Sequence, residues 1–279
     1  MGAAVFRKTI SNTDSRTLID VLAAHSGLSK TRVKRAMNLG AAWLQRAGAP
    51  MRRVRRASTQ IEPGDVAVLY YDERILDLIP PAAHCVRDLK RYSIWHKPPG
   101  MMTQGSRFGD HCALIRQVEL HFRRARPALA VHRIDREADG LVLVAHERKA
   151  AALLSELLRN GSIEKQYLVW VRGNLFQQRD QGLIDLSLDG RPASTRYTVL
   201  EYDAAADQSR VQVQILTGRR HQIRRHFDMI GHPVMGDPRY GTGNKNRDGL
   251  RLSAYALAFD CPLGNGRIAV EIDPRMKRP

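Results

Sequence analysis

The fold of this protein is best approached from residues 131–145, whose sequence is VHRIDREADGLVLVA. A charged loop runs directly into a fully apolar run, which predicts a buried strand with a loop at its mouth. Loops in that position border clefts, so we expect Asp135 beside a cleft wall. Arg133 and Arg136 flank it, and such a setting suits a nucleophile or electrostatic stabiliser better than a general acid. A surface salt bridge is the alternative explanation.

Further strand-like and helical segments follow on both sides of this loop. The strand-like runs are 92–96, 140–145, 166–171, 196–201, 210–216 and 250–259. Amphipathic patterns predict helices over 147–159 and 219–230, each followed by a glycine. Because strands outnumber helices and do not alternate with them regularly, we predict an α+β fold with a mixed, largely antiparallel sheet.

The first 75 residues have a different organisation. Two short helices are predicted between residues 15 and 38, followed by short strands at 41–46, 51–55 and 65–71 with turn residues between them. This pattern predicts a small α/β domain over residues 1–75. A proline-containing stretch over 76–91 has few apolar residues in phase and is predicted as a linker, and residues 92–279 as the larger domain.

The net charge indicates a polyanionic partner. The chain has 45 Lys and Arg against 28 Asp and Glu, a formal charge of +17. The basic residues fall in several segments of mixed structure, which favours nucleic acid over a membrane surface. Residues 30–56 hold no acidic residue, and a solvated surface usually mixes both signs. The candidate RNA-binding residues of this stretch are Lys30, Arg32, Lys34, Arg35, Arg52, Arg53 and Arg55. A merely solvated face is the alternative.

Several classes of protein are disfavoured by the sequence. An apolar content of 43% in 279 residues argues against a disordered chain, and no apolar run has the length of a membrane span. Cys85, Cys112 and Cys261 are too far apart for a zinc or disulfide pattern, so we expect a cytoplasmic protein without a metal. The sequence GDPRYGT at 236–242 lacks the lysine of a phosphate-binding loop and predicts a turn.

A second cationic segment is LTGRRHQIRRH, residues 216–226. Arg219 and Arg220 are predicted near a helix N-terminus, which favours anions, whereas Arg224 lies about a turn further along and faces another direction. So many guanidinium groups on one turn are costly unless some meet phosphate and one meets a buried carboxylate. A solvent-exposed basic helix is the alternative.

Four segments together resemble a known family. HRIDREADGLVLVA is similar to the HRLDRxTSGLLL motif of the RluA-type pseudouridine synthases, and matches of the same order and spacing are WHKPPG at 95–100, EKQYLVWVRG at 164–173 and TGRRHQIRRHFDMIGHPVMGDPRYG at 217–241. More loosely, LSKTRVKRAMNLG at 28–40 and EPGDVAVLYY at 62–71 resemble the alpha-L RNA-binding module that many of these enzymes carry. The resemblance implies an isomerase of uridine in RNA that needs no cofactor.

The resemblance also implies roles for single residues. Asp135 matches the catalytic aspartate, which either attacks the ribose or promotes a glycal intermediate. Tyr167 is expected to pack against the flipped base and to assist removal of the proton from carbon 5. Arg224 is expected to pair with the aspartate, and Arg133 to fill the gap left by the extruded nucleotide. Arg136 and Arg219 are expected to contact RNA.

Ala138-Asp139 departs from the Thr-Ser of the family motif and adds a carboxylate four residues after Asp135. We expect Asp139 to weaken phosphate contact or to pair with Arg136.

Three alternative functions remain open: a hydrolase or transferase that uses Asp135 with histidines, a catalytically silent RNA-binding paralogue, and a synthase acting on tRNA. The added basic domain favours a large structured RNA such as ribosomal RNA, and a monomer is the default expectation.

Overall fold

The computed structural model describes residues 2–264 and 266–273, and these form two compact units. The first unit comprises the described residues up to Pro81 together with Gln104–Leu120. The second comprises Ala82–Thr103 and the described residues from His121 onwards. The chain therefore leaves the second unit for seventeen residues and returns to it before residue 131.

The first unit is a four-stranded antiparallel sheet with helices packed against it. Its strand order is β1-β4-β2-β3. The elements are β1 (Ala4–Thr9), α1 (Leu18–Ser26), α2 (Lys30–Asn38), β2 (Ala42–Gln45), β3 (Arg52–Arg53), β4 (Val66–Tyr71), α3 (Glu73–Leu76) and most of α4 (Leu114–His121). Leucine, valine and alanine side chains from α1, α2, β2 and β4 form its core.

Local sequence signals define the two helices of this unit. Gly27 ends α1 in the left-handed conformation at φ +69° and donates its N–H to the Ala23 carbonyl. The Ser29 hydroxyl oxygen caps α2 by accepting from the Arg32 N–H. Val33 and Met37, four residues apart, are buried on one face of α2, which leaves the lysines and arginines of this helix on the other.

The second unit is a ten-stranded sheet with two helices. The order of its principal strands is β10-β11-β12-β9-β13-β8-β6-β5, with β14 beside β13 and β7 beside β8. The elements are β5 (His84–Asp88), β6 (Tyr92–Lys97), β7 (Leu129–Ala130), β8 (Asp139–Ala145), α5 (Arg148–Arg159), β9 (Glu164–Arg172), a 3₁₀ turn (Leu175–Gln177), β10 (Gln181–Asp185), β11 (Ser194–Asp203), β12 (Gln208–Ile215), α6 (Gln222–Met229), β13 (Leu252–Asp260) and β14 (Arg267–Glu271).

One parallel contact joins the two halves of this sheet. β13 pairs with β8 in parallel, and the other strand pairs among the described residues are antiparallel. All seven residues of β8 are buried. The α+β class with a mixed, largely antiparallel sheet is confirmed.

Gly140 makes the parallel contact possible. It lies opposite Ala254 at φ +129°, and a Cβ atom there would lie 2.6 Å from the backbone nitrogen of Ala254 and still closer to its carbonyl oxygen. A residue with a side chain would strain its own backbone and push β13 away. Because Gly140 follows the Asp135 loop by only a few residues, this close approach also fixes the base of that loop.

Several elements were not predicted from sequence. β5 lies within the predicted linker 76–91, where it pairs with β6 at the edge of the sheet. Its side chains are mostly exposed, so no apolar alternation marked it. β1, β10, β14 and α4 were also missed, and α6 begins at Gln222 rather than at the predicted residue 219.

The domain boundaries also differ from the predicted 1–75, 76–91 and 92–279. Contact density assigns 104–120 to the first unit, which no change in composition along the sequence signalled. Residues 1, 265 and 274–279 of the predicted domains lie outside the described residues. Among the helices that the structure describes, none combines the length and apolarity needed to span a membrane.

Gly140→Ala should destabilise the second unit by at least about 2 kcal/mol, because the added methyl group would overlap backbone atoms of β13. Urea unfolding measures the change. Gly190→Ala is the matched control, since Gly190 also has a positive φ of +70° but no atom within 4 Å of the added Cβ. Equal losses in the two variants would contradict the role of the strand contact.

Candidate active site

Asp135, Tyr167 and Arg224 line one cleft in the second unit, with a volume of about 1540 Å³. Asp135 comes from the loop before β8, Tyr167 from β9 and Arg224 from α6. The cleft therefore joins residues that are up to 89 positions apart in the sequence. The structure brings the three predicted catalytic residues together.

Hydrogen bonds to Thr103 and to strand β8 fix the loop that carries Asp135. The Thr103 hydroxyl donates to the Ile134 carbonyl at 3.1 Å and accepts from the Ile134 N–H at 3.3 Å. His132 Nε2 accepts from the Leu143 N–H at 3.0 Å, and burial, aided by Lys165, lowers the pKa of His132 to about 3. A neutral imidazole at this position ties the loop to strand β8.

Lys97 is a second anchor of the loop. Its ammonium group is fully buried and donates to the carbonyl oxygens of Pro98, Met101 and Ala138 at 2.7–2.9 Å. Burial lowers the pKa of Lys97 to about 7, and the charges of Asp135 and Glu137 oppose this shift. The lysine of the WHKPPG segment thus connects two loops under the cleft.

Arg224 is the centre of the charged groups in the cleft, and its residue is only 1% exposed. Its Nη1 donates to Asp135 Oδ2 at 3.1 Å and approaches Glu137 Oε2 at 3.4 Å. Its Nε and Nη2 donate to the two carboxylate oxygens of Asp237 at 2.6 and 2.8 Å. Burial alone would lower the pKa of Arg224, but the carboxylates of Asp237 and Asp135 raise it above its ordinary value.

Asp237 is fully buried, and its charge is compensated from three directions. Besides Arg224, the backbone N–H groups of Arg239 and Tyr240 donate to Asp237 Oδ1 at 2.8 and 3.0 Å. Burial would raise the pKa of Asp237, but these hydrogen bonds and the Arg224 charge lower it overall. The predicted turn at 236–241 therefore also supplies the carboxylate that orients Arg224.

Tyr167 lies on the buried face of β9 and is 8% exposed. Burial, with the negative charge of Asp135, raises the pKa of the Tyr167 phenol above its ordinary value. The phenol therefore stays protonated at neutral pH and presents an aromatic ring and a hydroxyl donor to the cleft.

His221 and Tyr240 belong to the cleft region but were not singled out from sequence. His221 Nδ1 lies 2.9 Å from the Tyr240 hydroxyl, and His221 Nε2 lies 3.8 Å from Asp135 Oδ1. A histidine directly after two arginines at the start of a predicted helix was the available signal.

The predicted RNA-binding arginines of this unit differ in their surroundings. Arg133 and Arg136 are exposed at the cleft, and Arg136 Nε donates to the Gly100 carbonyl at 3.2 Å. Arg219 Nε donates to the Pro192 carbonyl, and the Arg219 N–H donates to the Gln222 side chain. The Arg219 N–H is therefore engaged by the Gln222 side-chain oxygen, and the contact of Arg219 with RNA stays a prediction.

In the first unit, Arg53 and Arg55 serve the fold. Arg53 donates to the Gly40 and Ser106 carbonyls, and its guanidinium lies 4.5 Å from the Trp43 ring centre. Arg55 donates to Asn38 and to Asp110. Both Nη nitrogens of each arginine are therefore engaged within the unit, and the contact of Arg53 and Arg55 with RNA stays a prediction.

Other basic residues of 30–56 are paired with carboxylates from outside that stretch. The pairs are Lys30 with Asp20, Arg32 with Glu73, Arg35 with Asp77 and Arg46 with Asp65. Lys34 and Arg52 are exposed, and no ion pair to either is found among the described residues. The positive charge of residues 30–56 is therefore largely compensated within the unit.

Asp139 is 3% exposed at the start of β8, with Oδ2 3.5 Å from His96 Nε2. The histidine is thus a partner that the sequence did not indicate, and the expected pairing of Asp139 with Arg136 stays a prediction. Among the described residues, no cluster of three or more His, Cys, Asp or Glu side chains suited to a metal is present.

Comparison with known proteins agrees with this geometry. The family model for RNA pseudouridylate synthase matches residues 91–229. The ribosomal large subunit pseudouridine synthase C of Escherichia coli K12 is 32% identical over 238 residues, covering 76% of this chain and 68% of that protein. This chain belongs to the RNA pseudouridylate synthase family. The predicted family is therefore confirmed.

Two further similarities define how far the likeness extends. The protein of the same name from Vibrio cholerae is 33% identical over 196 residues, and the alignment covers 66% of this chain and 59% of that relative. The human RNA pseudouridylate synthase domain containing 1 has 23% identity and a TM-score of 0.59, with 70% of this chain and 86% of that chain covered. The structural likeness supports the shared fold.

Asp237→Asn should destabilise the protein by about 3 kcal/mol, because it leaves the buried Arg224 with one counter-charge fewer. Denaturant unfolding checks this. Asp189→Asn is the control, because Asp189 pairs with Arg225 on the same helix as Arg224, at 2.9 Å, but its side chain is 74% exposed, so stability should hardly change. Similar effects of the two substitutions would contradict the importance of burial.

Proposed function

We propose that this protein is an RNA pseudouridine synthase that isomerises uridine in structured RNA, with ribosomal RNA as the substrate class. The observation that carries the proposal is the Asp135 carboxylate, held at 3.1 Å by Arg224 beside Tyr167 in one cleft. A negative charge fixed by a buried cation is preorganised to act on an electron-poor carbon. Family membership supports the reaction type.

The chemistry moves one bond. The bond from ribose C1′ to uracil N1 breaks, a bond from C1′ to C5 forms, C5 loses a proton and N1 gains one. Asp135 is placed to act on the ribose, by attack on C1′ or by promoting a glycal. Its orientation comes from Arg224, which is itself fixed by Asp237. Because atoms and charge balance within the substrate, the reaction consumes no co-substrate.

The cleft suits a flipped nucleotide. Tyr167 offers an aromatic face, and Arg133 is exposed at the loop next to Asp135, where a planar cation can replace stacking lost from the helix. The exposed Arg220 and Arg239 add positive charge at the rim. An electropositive rim around an aromatic wall is typical of a single-stranded or extruded nucleotide site.

Ribosomal RNA is favoured over tRNA for two reasons. The relatives quoted above are named as ribosomal large subunit enzymes. The first unit also presents unpaired cations, Lys34 and Arg52, on a compact module separate from the catalytic cleft. A second contact surface suits a large RNA. A ribosomal substrate also implies action in the cytoplasm, where the free cysteines Cys85, Cys112 and Cys261 would remain reduced.

Asp135→Asn should reduce pseudouridine formation by at least about 10³-fold while RNA affinity changes little, because the amide keeps the shape but supplies no negative charge. Nucleotide-resolution pseudouridine mapping of total RNA from cells lacking the gene, complemented with wild type or the variant, measures this. A modified site that returns with the wild type alone identifies the target RNA.

Two outcomes of that mapping would contradict the proposal. A site restored equally by both proteins would exclude Asp135 as the acting group. Absence of any site dependent on the protein would favour a catalytically silent RNA-binding protein. A third outcome, a dependent site in tRNA, would keep the proposed activity but replace ribosomal RNA as the substrate.

A separate assay tests the remaining alternative: an RNA-cleaving or group-transfer activity that is lost on chelation would indicate a metal-dependent hydrolase or transferase.

Lys34→Ala with Arg52→Ala should weaken RNA binding and reduce the slope of log affinity against log salt by about 1 to 2, since up to two phosphate contacts are lost. Binding titrations across salt concentrations measure the slope. Arg7→Ala is the control, because Arg7 is exposed on β1 at the opposite edge of the same sheet. An equal effect of Arg7→Ala would indicate a nonspecific charge effect.

A further inference from the structure

The proposed reaction requires a base that the preceding assignment does not supply. This inference rests on the proposed function. After C1′ has joined C5, the proton on C5 must leave before the ring recovers its double bond. By then Asp135 has been released from the ribose, but its Oδ2 accepts a hydrogen bond from Arg224, and the raised pKa of Tyr167 keeps its phenol protonated, so that the phenol is a poor proton acceptor from carbon. A neutral group that can accept the C5 proton and that lies close to Asp135 and Tyr167 is therefore needed.

His221 lies at the required place. Its side chain lines the cleft, and its Nε2 is 3.8 Å from Asp135 Oδ1. That separation exceeds a hydrogen bond, so Nε2 is not committed to the carboxylate. Nδ1 is held 2.9 Å from the Tyr240 hydroxyl, whose ring also lies 5.2 Å from the Arg224 guanidinium. When Nδ1 carries the proton and donates to Tyr240, Nε2 presents a lone pair to the cleft.

The backbone at His221 indicates that its position is imposed. It has φ +53° and ψ +31°, in the left-handed region, and immediately precedes α6. A residue with a side chain rarely adopts this conformation, and such strain clusters at functional sites. The hydrogen bond from the Arg225 N–H to the His221 carbonyl anchors it to the helix that also carries Arg224.

The charges around the ring favour the neutral form. Burial lowers the pKa of the His221 imidazole below its ordinary value. The carboxylate of Asp135 opposes this shift, and the cations of Arg224, Arg220 and Arg239 add to it. Tyr240 faces the ring as a neutral hydroxyl partner. A neutral imidazole at physiological pH can accept a proton, and the imidazolium so formed is stabilised by Asp135 nearby.

We propose that His221 is the catalytic base that removes the proton from C5 of the uracil. The proton passes to Nε2, and the electron pair of the C5–H bond restores the C5–C6 double bond. The former C6–N1 double-bond pair returns to N1, which then takes a proton from the imidazolium or from water. His221 thereby moves the proton that the isomerisation displaces, and it ends the cycle neutral.

The test compares RNA made with uridine or with 5-deuteriouridine. His221→Asn is the first variant, because asparagine tolerates the left-handed conformation and can precede a helix. We expect kcat to fall by at least about 10²-fold. We also expect a primary deuterium isotope effect on pseudouridine formation that is larger than in the wild type, since removal of the C5 proton becomes rate-limiting.

A second variant and a control separate catalysis from structure. His221→Gly keeps the backbone conformation without strain and leaves space for added imidazole, which should restore part of kcat. Tyr240→Phe removes the hydroxyl at Nδ1 but keeps the base, so its isotope effect should stay below that of His221→Asn. Thermal unfolding of each variant verifies that it is folded, and if His221→Asn is not, His221→Gly with imidazole decides.

Three results would overturn the inference. Unchanged kcat in His221→Asn shows that the residue is dispensable. A fall in kcat with the wild-type isotope effect, and no rescue of His221→Gly by imidazole, assigns His221 a structural role. Absence of pseudouridine with the wild type on every RNA tested removes the proposed function together with this inference, whereas the first two results leave the proposed function intact.

Discussion

The buried ion pair between Arg224 and Asp237 is the interaction on which the catalytic cleft depends. Two parallel hydrogen bonds fix the plane of the guanidinium, and the remaining nitrogen is thereby aimed at Asp135. Bidentate geometry gives direction as well as energy. A charge pair that is costly to bury is retained here because it positions a third group, the Asp135 carboxylate.

Charge compensation also determines which basic residues of the first unit are open to a partner. In the first unit the excess of basic residues is mostly compensated by carboxylates that come from outside 30–56, and Arg53 and Arg55 donate hydrogen bonds within the unit. Lys34 and Arg52 are exposed, and no ion pair to either is found among the described residues. Net charge predicts the class of partner, whereas the choice of contact residues depends on which cations are already paired.

The sequence was most informative where a local pattern had one structural solution. The apolar run after the loop at 131–138 predicted a buried strand, which the structure shows, and Asp135 was expected beside a cleft, with a surface salt bridge as the alternative; the structure places it in the cleft. The family motifs then added Tyr167 and Arg224, which the structure places in that cleft. The sequence did not identify Lys97, Asp237 or His221, because the fold brings them to their partners, which are backbone carbonyls, Arg224 and Asp135, respectively.

The sequence by itself determined the fold class and the family and predicted a polyanionic partner, because these depend on composition, on short-range pattern and on the order of motifs. The local pattern predicted Asp135, and the family motifs predicted Tyr167 and Arg224. Tertiary structure alone decided which unit holds 104–120, that β5 completes the sheet edge, and that Asp139 turns inward. It also decided which cations are free and that His221 meets Asp135. These properties arise from contacts between residues far apart in the chain, and such contacts leave no periodicity or composition for a sequence to show.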